Sequence, residues 1–183
     1  MRYIVVDLEA TCWETGQTPD RMEIIEIGAV SLPSSSQPPN SAFQSFVRPV
    51  AEPHLSDFCK KLTTIDQASV DGADSFPDVF RRFVSWIGDS PITLCSWGAY
   101  DLEQLRTDCR RHGLEFPALL KTHINLKAEY SSLFKARRCG MAAALKQQKL
   151  SIIGTHHRGI DDARNIARLA NIILPKWEER VGS

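Results

Sequence analysis

The pattern of hydrophobic and polar positions divides the first part of the chain into short apolar runs. Residues 3–9, 23–30 and 43–48 are rich in β-branched and aromatic side chains and have the length of strands. The stretch 33–40 between the second and third runs is polar and rich in proline and serine, which is typical of a loop rather than of a linker between domains. Because the three strands follow one another so closely, we predict an antiparallel meander.

The rest of the chain shows helical periodicity. Apolar residues recur at helical spacing in 75–88 and again in 100–112, and the short apolar run 91–96 between them predicts a buried strand. We expect a further helix after Gly140 and a last helix over about 161–174. Strands followed by alternating helix and strand predict an α/β domain with a mixed sheet.

Length and charge narrow the class of protein. A chain of 183 residues with 43% hydrophobic composition can bury one substantial core, so we expect a single domain over residues 1–183. The 22 basic and 22 acidic residues cancel, so no net charge attracts a polyanion or a membrane surface.

The five cysteines form no CxxC pair, which argues against a disulfide framework or a zinc site. The first apolar run is too short for a signal peptide or a membrane span, so we expect a soluble, cytoplasmic protein.

Candidate chemistry begins with two acids in the first predicted strand. Asp7 and Glu9 are two positions apart, and the alternation of a strand places both side chains on the same face. Paired carboxylates inside an apolar run are costly unless a cation lies between them, so we interpret them as metal ligands. Asp101 could merely favour the positive end of a helix dipole, but it also follows the strand 91–96, where α/β folds gather binding groups.

The segment HHRGIDDAR at 156–164 doubles a histidine and an aspartate. On a helical wheel of about 100° per residue, Asp162 borders the apolar stripe of the last helix and Asp161 lies on the opposite side. Periodicity therefore predicts that Asp162 belongs to a site and that Asp161 is a solvent-facing N-cap. It does not distinguish His156 from His157, because both precede the helix in a loop that Gly159 makes flexible.

Together these segments resemble a known family. DLEAT at 7–11, the aspartate of SWGAYDLEQL and HRGIDDARNIAR are similar to the three motifs of the DEDDh branch of 3′-to-5′ exonucleases. VDLEATCWE, EIIEIGAV and LSDFCKKLTTI are most similar to the subgroup of 3′ histone-mRNA and enhanced-RNAi exonucleases. The resemblance spans nearly the whole chain. It implies a ribonuclease H-like fold, with a mixed five-stranded sheet of an antiparallel meander and then parallel strands, flanked by helices.

The resemblance also implies catalytic roles. Two divalent cations, Mg²⁺ or Mn²⁺, would stabilise the attacking and leaving oxygens during phosphodiester hydrolysis. Their expected ligands are Asp7, Glu9, Asp101 and Asp162. The family places its histidine five residues before the last acid, which selects His157 as the group that takes the proton from the attacking water. His156 is then expected to be a bystander.

Contacts to the substrate are expected from residues that adjoin these motifs. Relatives use the residues after the first two acids and a Leu-Thr pair to line the terminal nucleotide, while aromatic side chains near the third acid could stack on bases. The expected set is Ala10, Thr11, Leu62, Thr63, Trp97, Tyr100 and His157. Trp97 could equally be a core residue.

One position departs from the family pattern. Many relatives have Leu-Thr-Gly-Ile where this chain has Thr64 in place of the glycine. The substitution bears on the local turn and on the fit of the terminal nucleotide.

The predicted function is a metal-dependent 3′-to-5′ exonuclease that acts on single-stranded 3′ ends, RNA more than DNA, and releases mononucleotides. Two alternatives stay open: a DNA exonuclease of the proofreading type, and a non-catalytic nucleic-acid-binding module with the same fold. The complete set of four acids favours the enzyme. The sequence leaves the oligomeric state open.

Overall fold

A computed structural model describes residues 1–182. The strands in this range are β1 (Arg2–Ala10), β2 (Ile24–Leu32), β3 (Ser41–Phe46), β4 (Ile92–Ser96) and β5 (His123–Asn125). They form a mixed sheet in the order β3-β2-β1-β4-β5. The pairs β1–β2 and β2–β3 are antiparallel, whereas β1–β4 and β4–β5 are parallel. The predicted five-stranded α/β architecture, a meander followed by parallel strands, is confirmed.

Helices cover both faces of this sheet. They are α1 (Asp57–Thr63), α2 (Gln67–Asp71), α3 (Phe76–Ile87), α4 (Tyr100–Arg111), α5 (Leu126–Leu133), α6 (Met141–Gln147) and α7 (Gly159–Val181). Among residues 1–182, no helix is both long enough and apolar enough to cross a bilayer.

The central strand β1 is buried on both faces. Tyr3 and Val5 pack in one core with side chains of α5, α6 and α7, while Ile4 and Val6 pack in the other with α3 and α4. Successive side chains of a strand alternate between faces, so the odd-numbered acids that follow Val5 emerge on the side of α7. The hydrophobic pattern of β1 thus determines which helix can join the acids.

Helix α7 lies directly on the sheet because glycines remove the side chains between them. Gly28 pairs with Asp7 in the β1–β2 ladder, and a Cβ at Gly28 would overlap the backbone of Gly159 and Ile160. A Cβ at Gly159 would lie 3.0 Å from the Asp7 carbonyl oxygen, tighter than an ordinary contact. This backbone contact places the first turn of α7 beside the end of β1.

The last helix is longer than periodicity predicted. It begins at Gly159 and continues through Pro175 to Val181 instead of covering about 161–174. Tertiary contacts explain the extension: Trp177 packs against the core, and the carboxylate of Glu178 accepts hydrogen bonds from the hydroxyls of Tyr3 and Ser35 at 2.5 Å each. The single-domain organisation over 1–183 and the cytoplasmic location stay predictions.

Candidate active site

Four acids that are distant in sequence meet at the end of β1. One carboxylate oxygen from each of Asp7, Glu9 and Asp162 lies within 4.8 Å of the other two. Asp101, at the start of α4, is tied to β1 because its Oδ1 accepts the Leu8 backbone amide at 3.1 Å. All four acids line one cavity of about 330 Å³. The structure therefore brings together the acids that the sequence singled out.

These carboxylates repel one another in a buried setting. Burial, and then the negative charge of Asp101, raises the pKa of Asp7 well above its ordinary value. Burial, and then the charge of Asp162, raises the pKa of Glu9 to about 9. Burial also raises the pKa of Asp101, to about 6, although the hydrogen bond from the Leu8 amide opposes the rise. Without a cation, burial and mutual repulsion therefore favour the protonated forms of Asp7 and Glu9.

Both histidines of the doubled pair lie at this cluster. His156 Nδ1 is 2.8 Å from Oδ2 of Asp162, and the His157 backbone amide donates to the same oxygen at 3.0 Å. The two imidazole rings stack with their centroids 4.0 Å apart, and both residues line the cavity. His156 therefore lies at the site beside His157, and its expected role as a bystander in catalysis stays a prediction.

His157 has an unusual backbone and a perturbed ring. Its φ of 63° lies in the left-handed region, which residues with a side chain rarely adopt. Burial, and then the neighbouring His156, lowers the pKa of His157 below its ordinary value. The ring is thereby favoured in its neutral form near neutral pH.

The prediction that Asp161 is a solvent-facing N-cap is wrong. Arg158 occupies the N-cap position of α7, and the Asp161 side chain is 22% exposed. Its Oδ2 accepts the Thr155 backbone amide at 2.9 Å, and it packs so closely that a Cβ at Gly154 would overlap its carboxylate. The helical wheel correctly placed this side chain opposite the apolar stripe. It could not show that the loop before α7 folds back over the side chain. Asp161 fastens the loop before the two histidines to α7.

The two aromatic candidates also line the cavity of the acids. Tyr100, at the start of α4, is 37% exposed and lines the cavity. Trp97 is half-buried, donates from Nε1 to the Cys139 carbonyl at 3.0 Å and packs 5.8 Å from the Tyr130 ring. Trp97 therefore has both of the positions considered from the sequence: it packs at the edge of the core and forms part of the cavity wall.

The remaining nucleotide candidates lie outside the lining of this cavity, as far as the described residues show. Ala10 and Thr11 are buried, and Thr11 Oγ1 accepts the Glu23 amide at 2.9 Å. Thr63 is wholly buried and donates from Oγ1 to a carbonyl of its own helix at 2.8 Å. Leu62, which is 36% exposed, lines a separate cavity of about 520 Å³ beside α1.

Thr64, where the family pattern leads us to expect glycine, forms the turn that ends α1. It ends α1 with φ 60° and ψ 12°, a left-handed conformation that is costly for a residue with a Cβ. The turn therefore forms with threonine at this position, but its backbone is strained.

Sequence reasoning missed several residues around the site. Gly140, Met141 and Ala142, where α6 begins, form part of the cavity wall. Glu26 is a wholly buried acid in β2 that contacts the start of α7. A charge inside the apolar run EIIEIGAV was the available signal for Glu26, because a buried carboxylate requires partners.

Comparison with known proteins fits this arrangement. The family model RNase_T, described as exonuclease, matches residues 4–170. The chain belongs to this exonuclease family. Human ERI1 exoribonuclease 2 is 34% identical to it over 91% of this chain and 27% of its own length. Human 3′-5′ exoribonuclease 1 is 35% identical over 91% of this chain and 50% of its own length. The chain thus spans between about a quarter and about half of these curated relatives.

Solved structures relate the chain to a particular branch of this family. The nuclease domain of 3′hExo, a DEDDh family member bound to rAMP, superposes with a TM-score of 0.88 at 33% identity, covering 96% of this chain and 92% of that one. A 3′-exonuclease that recognises the histone mRNA stem-loop gives a TM-score of 0.89 at 31% identity, covering 96% and 64%. The predicted resemblance to the DEDDh branch and its ribonuclease H-like fold are confirmed.

Membership of the DEDDh family implies the use of divalent metal ions. The residues of this chain fit such ions for two reasons. The clustered donors are carboxylate oxygens, which suit hard cations. The raised pKa values of Asp7 and Glu9 come largely from burial and mutual repulsion, which bound cations would relieve.

Proposed function

We propose that this chain is a divalent-metal-dependent 3′-to-5′ exonuclease that shortens single-stranded 3′ ends and prefers RNA to DNA. The observation that carries the proposal is the convergence of four acids and two histidines in one cavity. The exoribonuclease names of the curated relatives, the rAMP bound to 3′hExo and the RNA stem-loop recognised by the related 3′-exonuclease support this substrate class.

The acids would hold two ions, Mg²⁺ or Mn²⁺. Asp7, Glu9 and Asp162 offer oxygens that are already clustered, and the Leu8 amide keeps Asp101 at the same end of β1. When bound, the ions supply positive charge that stabilises the attacking and leaving oxygens of the phosphodiester. The acids themselves contribute by holding that charge at one fixed place.

We assign proton transfer to His157. Its lowered pKa keeps the imidazole neutral near pH 7, so that it can accept a proton from the attacking water. His156 Nδ1 is engaged with the Asp162 carboxylate, which makes His156 the less available of the pair. The proton accepted by His157 would give an imidazolium close to Asp162, where a positive charge is favourable.

The nucleotide would enter beside the aromatic side chains. The partly exposed aromatic residues Tyr100 and Trp97 line the cavity and would offer rings on which bases of any sequence can stack. Ala10, Thr11, Leu62 and Thr63 remain our proposed contacts to the terminal nucleotide, and Leu62 presents the most exposed side chain of these four.

A panel of labelled oligonucleotides tests the proposal. Single-stranded and duplex RNA and DNA, labelled at the 5′ end, would be incubated with the protein and Mg²⁺ or Mn²⁺. We expect a ladder that shortens from the 3′ end, faster on single-stranded RNA than on DNA, with mononucleotides released. Faster cleavage of DNA would support the proofreading-type alternative. Binding without cleavage under every condition would refute catalysis and leave a binding module.

A further inference from the structure

Glu26 is a charged side chain in a position where charge is costly. It lies in β2 with 0% exposure, between apolar neighbours. Both carboxylate oxygens have partners: Gln44 Nε2 donates to Oε1 at 2.7 Å, and Oε2 accepts from Arg158 Nε and from the Gly159 amide at 3.1 Å each. The carboxylate is therefore fully engaged with protein groups.

The partners of Glu26 lie at the start of α7. Arg158 occupies the N-cap position and forms no side-chain cap of its own, so the first amides of the helix need other acceptors. Glu26 supplies one of them from the sheet by accepting the Gly159 amide. A carboxylate at this end of a helix is also favourable because the helix dipole is positive there. The Arg158 guanidinium also lies 5.2 Å from the centre of the Phe46 ring, so it contacts β3 as well as Glu26.

These contacts bear on His157, which directly precedes Arg158. A left-handed φ of 63° is strained for histidine and persists only when the surroundings hold it. On one side the His157 amide is bonded to Asp162, and on the other side the next two residues are bonded to Glu26. The conformation of His157 is thus fixed from both sides.

We propose that Glu26, together with Arg158, is a positioning residue that sets the place of His157 and Asp162 relative to β1 without touching metal or substrate. The inference rests on the proposed function, because it assigns Glu26 a part in the geometry of that same site. This role also explains why Glu26 can lie near the four acids without being a metal ligand. Both of its oxygens already accept hydrogen bonds from protein groups, and Arg158 forms an ion pair with it.

A buried acid can also be purely structural, and the chain offers a matched control. Asp108 in α4 is 1% exposed, accepts the Ile24 backbone amide at 2.8 Å and pairs with Arg111. It therefore repeats the chemistry of Glu26, an amide and an arginine on a buried carboxylate, outside the lining of the acid cavity. Substitution of either acid should lower stability, but only substitution of Glu26 should also lower the catalytic rate.

The test compares Glu26→Gln, Arg158→Lys and Asp108→Asn with the wild type. Measured quantities are kcat and KM on 5′-labelled single-stranded RNA, Mn²⁺ affinity by calorimetry, and Tm. We expect Glu26→Gln to lower kcat by about 10- to 100-fold with little change in KM, as for other residues that orient a metal site. Arg158→Lys, which keeps the charge but not the planar fork, should fall between Glu26→Gln and the wild type. Asp108→Asn should lose stability and keep its kcat.

Several outcomes would overturn the assignment. Wild-type kcat in folded Glu26→Gln would do so, as would equal kcat losses in Glu26→Gln and Asp108→Asn. If Glu26→Gln does not fold, Arg158→Lys decides: unchanged kcat refutes the assignment.

The positioning role can be separated from the proposed function. If the wild type cleaves no oligonucleotide, the proposed function fails, and hydrogen exchange then tests the role of Glu26. Faster exchange of the His157 and Gly159 amides in Glu26→Gln, with weaker Mn²⁺ binding and intact protection of β1, would support it. Unchanged exchange and Mn²⁺ affinity would refute it.

Discussion

Oδ2 of Asp162 accepts the backbone amide of His157 at 3.0 Å, so the histidine and the acid five residues later close a single turn. The side chain that would hold a cation is also the side chain that shapes the backbone of the proposed base. Changes at either residue are therefore expected to affect the other, and the variants below are chosen to separate their roles.

The doubled aspartates should respond differently to substitution. Asp162→Asn keeps an oxygen that can accept the His157 amide but removes a charged ligand, so turnover should collapse while Tm holds or rises as repulsion is relieved. Asp161→Ala should instead lose about 0.5–1.5 kcal/mol of stability, because the Thr155 amide loses its acceptor, with little effect on catalysis. Cleavage of one labelled RNA and melting curves would be measured side by side. An active Asp162→Asn together with an inactive Asp161→Ala would reverse our assignment.

The two histidines should also separate. His157→Ala removes the proposed base and should lower the rate by about 10²- to 10⁴-fold, whereas His156→Ala should have a much smaller effect. Rates would be measured at saturating Mg²⁺, with Tm as a control for folding. Equal losses in the two variants would show that we have chosen the wrong histidine or that the pair acts as a unit.

The pH dependence of the rate follows from the direction of the His157 shift. A general base must be neutral, and burial and His156 lower the pKa of His157 below its ordinary value of 6.5. Activity of the wild type should therefore persist below pH 6.5 and decline as pH falls through the lowered pKa. A pH profile of kcat at saturating metal tests this, and a decline that already begins above pH 7 would contradict it.

Metal should control both activity and the response of stability to pH. EDTA should abolish cleavage, and Mg²⁺ or Mn²⁺ should restore it. Glu9 has a pKa of about 9 in the fold against an ordinary 4.5, so its contribution to stability is present below about 4.5 and is lost as pH rises towards 9. The Tm of metal-free protein should fall over that window, and Mn²⁺ should reduce the fall. Cleavage at full rate in chelator would eliminate the mechanism.

Thr64 offers a test of backbone strain. Thr64→Gly should raise stability by about 0.5–1 kcal/mol, because relief of the left-handed conformation outweighs the greater freedom of glycine in the unfolded chain. Thr64→Ala is the control, since it keeps a Cβ and should give no comparable gain. Denaturant unfolding would measure both variants, and a Thr64→Gly protein that is less stable than the wild type would show that the Thr64 side chain contributes more than the strain costs.

The sequence predicted the elements that bury a continuous apolar stripe. Periodicity located β1, β2, β4, α3 and α4 within two residues or so, because in each the burial pattern and the local preference agree. It missed α1, α2, α5 and β5, which are short: β5 has three residues and α2 has five. Elements of this size depend on the surfaces against which they pack and carry little periodic signal of their own.

The sequence predicted those parts of the site that depend only on which face of a strand or helix a side chain occupies. Alternation in β1 placed Asp7 and Glu9 on one face, and the wheel placed Asp162 at the edge of the buried stripe; the structure brings all three together. The contacts of Asp161 and His156 escaped prediction because they depend on how the loop before α7 folds back. No pattern within one element encodes such a contact between segments.

The backbone contact between Gly28 and Gly159 has a consequence for how the protein responds to heat. Side chains that join two elements can rotate and let them separate by degrees, but two backbones in contact have no rotamers to exchange. The first turn of α7 therefore cannot loosen gradually from β2, the strand of Gly28, while the sheet stays intact. We expect activity to disappear on heating in the same cooperative transition that unfolds the sheet, with no preceding phase in which a folded protein has lost its site.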